Sequence, residues 1–175
     1  YVSIIGSGQG STVLTGGGQG SPSNNFDDGV ITVQNCDSLT FQDLTIRSGS
    51  RVGGKGISAT GISWKGGGGS VWTNVAVEAT QYGWVDGSDT KDADCETGLH
   101  YWFASKIQVQ NSVYQFGYRT KCGDNWFFGG EISVEVTDPA VSVVALIAAA
   151  ADIGGAIHMY ATSIRSYSSQ HSVAV

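Results

Sequence analysis

The densest run of groups able to do acid–base or ligand chemistry is VDGSDTKDADCET, where Asp86, Asp89, Asp92, Asp94 and Glu96 crowd a stretch poor in apolar residues. Hydrolysis of a glycosidic bond needs two carboxylates, about 5–5.5 Å apart for retention or about 6.5–9.5 Å apart for inversion. Asp86 with Asp89 is the candidate catalytic pair. Asp27 with Asp28 is a poorer one, because neighbours on an extended chain face opposite sides. Calcium is the other chemistry such a run offers, since a hard cation takes roughly six to eight oxygen ligands. The loop from Asp86 to Glu96 lacks the EF-hand spacing, and a solvated acidic loop accounts for it better. No cofactor is expected, and no metal site is assigned.

Flat rings are the second kind of group with a chemistry to offer, because sugar faces stack on them and cores are filled with them. Trp84 lies beside the acidic loop and Trp126 sits in GDNWFFGG between two glycine turns, so these two are the candidate carbohydrate-binding residues. Trp72 alternates against Val71, which offers it to a neighbouring subunit. His100, His158 and His171 have no ligand spacing. GSGQG (6–10) runs into the strand-like STVLTG where a dinucleotide site needs a helix, and GGGG (66–69) lacks the following Lys-Ser or Lys-Thr of a phosphate loop, so both are read as turns.

The frame that carries these groups is limited by composition. The 175 residues, 41% of them apolar, suffice for one domain, 1–175. With 26 glycines in no three-residue period, collagen is excluded. A net charge of −6 leaves no basic stripe for nucleic acid. The apolar run near 145–155 is shorter than the roughly 20 residues a bilayer crossing requires, so no membrane insertion is expected. Three cysteines, Cys36, Cys95 and Cys122, give neither a disulfide framework nor a zinc signature.

Alternation predicts short strands at 2–5, 13–15, 30–33, 39–41, 44–46, 71–77, 99–103, 107–109, 113–116, 132–136, 141–147 and 157–160, with Gly, Ser, Asn and Asp between them. ALIAAAADIGG (145–155) is ambiguous: alanine favours a short helix or an irregular segment, while the preceding VSVV favours strand. Three segments share a strand, Asp or Asn, strand layout: SLTFQDLTIRS (38–48), SVWTNVAVEAT (70–80) and SKIQVQNSVYQF (105–116). Aligned, they put Asp43, Asn74 and Asn111 in one corner column, where Asp and Asn tolerate a left-handed backbone and can hydrogen-bond as a ladder. The same alignment puts Arg47, Glu78 and Gln115 in one outward column. Spacing above thirty residues implies inserted loops at 48–61 and 82–98.

The opening VSIIGSGQGSTVLTG and the following GVITVQNCDSLTFQDLTIRSG resemble the pectate-lyase-like right-handed parallel β-helix superfamily of the bacteriophage tailspike and appendage type. Its repeat is matched by Gly29, Val30, Ile31, Val33, Asn35, Leu39, Phe41, Asp43, Leu44 and Ile46, and the likeness weakens beyond Phe116. The resemblance implies an all-β solenoid and a viral tailspike or appendage subunit that contacts host-surface polysaccharide. The expected setting is a homotrimer on the virion surface beside other virion proteins. Two alternatives come with it: a secreted polysaccharide-degrading lyase or glycoside hydrolase, and a purely structural fibre or adhesin stalk. No Arg matches the basic residue the lyases use, and no motif decides whether the chain is a depolymerase. Tyr1 stands almost inside a strand and HSVAV ends in another, so a longer polypeptide, or other chains over the ends, is expected.

Overall fold

The computed structural model describes residues 1–16, 29–34, 38–48, 55–60, 69–79, 82–86, 99–110, 116–120, 124–136, 145–149 and 156–168. Its elements are β1 (Val2–Ile5), β2 (Val13–Gly16), β3 (Gly29–Gln34), β4 (Ser38–Ser48), β5 (Lys55–Thr60), β6 (Gly69–Ala79), β7 (Tyr82–Asp86) and β8 (Leu99–Phe103). The second half adds β9 (Lys106–Gln110), β10 (Phe116–Thr120), β11 (Asp124–Phe128), β12 (Glu131–Val136), β13 (Ala145–Ala149), β14 (Ala156–Tyr160) and β15 (Ser163–Ser168). The described residues are all-β, without a helix, and their strand pairs are parallel.

Two sheets hold these strands. A ten-stranded sheet has two strips, one running β1, first half of β4, first half of β6, β8, β11, β14, and one running β2, second halves of β4 and β6, β9, β12, β15. A five-stranded sheet runs β3-β5-β7-β10-β13. In chain order the described strands therefore visit, in repeated circuits, the first strip, the second strip across the corner, the five-stranded sheet and then the first strip one strand further on.

The corner explains why one strand serves two strips. In β4, Leu39 and Phe41 are buried before the corner and Leu44 and Ile46 after it, so the alternation shifts by one residue at Asp43. Asp43 (φ 55°) and Asn74 (φ 53°) take the left-handed conformation that makes this shift, as their side chains allow. Later circuits use Ala104 (φ 46°), Gly129 with Gly130 (φ 70° and 86°) and Ala161 (φ 53°). A Cβ on Gly130 would collide with the Ser105 backbone, so that corner needs glycine.

Burial follows the strips. On the first, Phe41, Trp72, Trp102 and Phe127 stack in one interior column, with ring centroids 4.2, 4.9 and 5.7 Å apart and planes within 4°, 13° and 9°. On the second, Leu14, Ile46, Val77, Ile107, Ile132 and Ile164 share a column. Each member fills the gap left by its neighbour one strand away, which is how a sheet without helices on it builds a core.

Several sequence expectations change. Asn74 lies beside Ala104, not Asn111, since Thr73 pairs with Phe103 and Ala76 with Lys106. The third repeat is thus 99–110, and Glu78 pairs with Gln108 rather than Gln115. Asn111 and Gln115 lie outside the described residues. Trp72 is fully buried and faces the core instead of a neighbouring subunit. The stretches 48–61 and 82–98, expected as inserted loops, contain β5 and β7. Ala145–Ala149 is strand, not helix, because parallel pairing with Phe116–Thr120 outweighs alanine's propensity. The circuits also continue past residue 116 to Ser168, where the sequence likeness fades.

Candidate functional site

Trp84 and Asp86 are two residues apart on β7 in the five-stranded sheet, with Trp84 opposite Ile57 and Tyr118 and Asp86 opposite Ala59. Asp89 lies outside the described residues, as do Asp27, Asp28, Asp92, Asp94 and Glu96. Trp126 belongs to the other sheet, on β11. Asp86 and Trp126 therefore do not share a sheet. Among the described residues, no group of three or more His, Cys, Asp and Glu stands close enough to hold a metal ion.

The described surface does contain a cluster of rings. On β8, β11 and β14 the inward positions are taken by core residues, so the alternate ones face out. Register aligns them as two columns, Tyr101, Trp126, His158 and Phe103, Phe128, Tyr160. In the second column, centroids are 5.1 and 5.2 Å apart with planes 9° and 8° from parallel. For planes in van der Waals contact about 3.5 Å apart, a 5.1 Å separation implies a sideways offset of about 3.7 Å. Those rings overlap like roof tiles, leaving part of each face open, and Phe103 is 37% and Tyr160 51% exposed. Trp126 differs: the imidazole of His158 lies 3.9 Å away at 16°, an offset of only about 1.7 Å by the same reasoning, so one indole face is covered. Its Nε1–H is enclosed and meets no acceptor among the described residues. Within this cluster the rings most open to a ligand are thus Phe103 and Tyr160, neither of which the sequence singled out. Their signal was the two-residue spacing of Tyr101 and Phe103 in LHYWF and of His158 and Tyr160 in AIHMY.

The adjoining strip is polar. Arg47 and Glu78 form an ion pair at 2.5 Å, which holds the guanidinium above its ordinary range through that hydrogen bond and the carboxylate charge. Arg165 lies 3.6 Å from Glu131. At the corner, the Asn74 Nδ2–H donates to Asp43 Oδ1 at 2.6 Å and the Gln42 Nε2–H to Oδ2 at 2.7 Å, so the ladder has at least this rung. Those bonds, that from Asn74 foremost, hold the Asp43 carboxyl below its usual value.

Behind the aromatic face runs a buried polar column, Ser70, His100 and Asn125. Trp72 Nε1–H donates to Ser70 Oγ at 2.6 Å, and Ser70 Oγ stands 2.7 Å from His100 Nδ1. Indole nitrogen only donates, so the Ser70 hydroxyl hydrogen is free for Nδ1. His100 Nδ1 accepts that hydrogen or donates to the second Oγ lone pair, according to its tautomer. Burial, which disfavours the charged ring, pushes the His100 pKa down to about 3. A Ser–His pair usually suggests a nucleophile, but Ser70 is fully buried and no substrate reaches it. The pair organises the core.

No family model matches the chain, and neither a curated protein nor a solved structure matches it.

Proposed function

We propose that this chain is a segment of a right-handed parallel β-helix of the pectate-lyase-like, bacteriophage-appendage type, and that it contacts a host-surface polysaccharide. One observation carries the reading: the tiled outward column Phe103, Phe128, Tyr160, a set of partly open ring faces in line across three neighbouring strands. Exposed rings on a rigid sheet lose little entropy when a ligand covers them, and the CH-rich faces of sugars are their natural partners. The repeated circuit through three strips, all in parallel register, is the connectivity a solenoid requires. A trimer at the virion surface, alongside other virion proteins, is the assembly that goes with this reading.

Depolymerisation is the enzyme form of the same proposal, with Asp86 and Asp89 as its acids. The experiment offers the intact chain a panel of bacterial surface polysaccharides and follows both retention and release of reducing or unsaturated ends. Retention that Tyr160→Ala weakens supports the polysaccharide contact. Release abolished by Asp86→Asn or Asp89→Asn assigns the hydrolytic or eliminative step to the acidic loop. Retention of no polysaccharide in the panel overturns the proposal.

A further inference from the structure

We infer that the polysaccharide this face takes is uncharged, a neutral glycan stretch laid over the column Phe103, Phe128, Tyr160; the inference rests on the polysaccharide reading above. The outward positions of β8, β11 and β14 include no Lys or Arg, and their one carboxylate is Asp124. A uronic or sialic polymer brings one negative charge for each acidic sugar, and holding it needs cations or oriented donors at the contact. Among the described residues, the basic side chains of the second strip face acids: Arg165 is 3.6 Å from Glu131, and Lys106 is in register with Glu131. With a chain charge of −6, the wider field also repels an anionic polymer. Rings beside phenolic hydroxyls, as Tyr101 and Tyr160 supply, suit a ligand with apolar faces and hydroxyl edges and no formal charge. The same reasoning sets this face apart from an elimination site, whose substrate must carry a carboxylate next to the carbon that loses its proton.

The test is affinity electrophoresis of the full chain through gels containing dextran, a β-glucan or a galactomannan, against gels containing alginate or polygalacturonate. The expected result is retardation by at least one neutral polymer and by neither uronate. It should be unchanged between about 0.05 and about 0.5 M salt, since no ion pair is screened. Phe103→Leu and Tyr160→Leu keep the apolar bulk and remove the ring, and each should lower the affinity about tenfold if ring stacking supplies the contact. Arg47→Ala, off this face, should leave it unchanged. Retardation by uronate polymers alone, fading with salt, would leave the polysaccharide reading standing and overturn the neutral assignment. Retardation by neither class, together with a sedimentation coefficient that drops on Tyr160→Leu, would give the face to a second copy of the chain and overturn both.

Discussion

Acidification should destabilise this fold through His100 in particular. Its imidazole is pushed down to about 3 from an ordinary 6.5 by burial. Between those two values the unfolded chain holds a proton that the folded chain does not. Stability from this group is therefore complete above about pH 6.5, falls as pH drops, and levels out below about pH 3. Each unit in that window costs about 1.4 kcal/mol, so a shift from about pH 7 to about pH 5 removes about 2 kcal/mol and the full span about 5 kcal/mol. The assay is urea unfolding of the wild type and of His100→Gln at several pH values. Glutamine cannot take up the proton, yet its amide can still meet the Ser70 hydroxyl. The expected outcome is a difference between the two stability curves that changes by about 2 kcal/mol from pH 7 to pH 5. Parallel curves would refute the reasoning. So would an NMR titration in which the folded His100 ring takes its proton near 6.5.

Three further outcomes are expected. Trp72→Ala opens a gap in the interior ring column and should cost about 3–5 kcal/mol, measured by denaturant unfolding. Ala104→Gly should stabilise the chain by about 0.5–1 kcal/mol: relief of about 1–2 kcal/mol of left-handed strain at φ 46° outweighs about 0.5–1 kcal/mol of added unfolded-state freedom. Asn74→Ala removes the leading hydrogen bond to Asp43, so the Asp43 carboxyl should titrate higher, nearer its ordinary value, by carbon-detected NMR.

Alternation made β4, β6 and β14 legible, because there apolar and polar residues obey the pleat, whereas β8 was legible as an apolar run although His100 faces in and Phe103 out. The corner at Asp43 and Asn74 was legible from side-chain chemistry, and so was the Arg47–Glu78 pair, since those two repeats align without gaps. Register failed at the third repeat for a physical reason. KIQVQNSV mimics the strand, Asn, strand layout, while the residue at the actual corner, Ala104, gives no turn signal at all. β5 (KGISAT) and β7 (YGWVD) went unread because glycine at the second position of each resembles a break. The Ser70–His100 bond lay beyond local pattern altogether. It joins residues thirty apart that meet only once the register is known. As for the candidate site, Trp126 was assigned by its glycine surroundings, whereas openness is decided by the rung beneath it, and His158 covers that face.

The interior ring column also gives the molecule an optical signature. Trp72 and Trp102 hold their indoles 4.9 Å apart and 13° from parallel, close enough for their electronic transitions to couple rather than absorb independently. Each of the two tryptophans sits on a different circuit of the chain. An exciton couplet from this pair in the circular dichroism spectrum would therefore arise when β6 and β8 have paired, and would vanish when they part. Light alone can then report the docking of one strand on the next, with no label added.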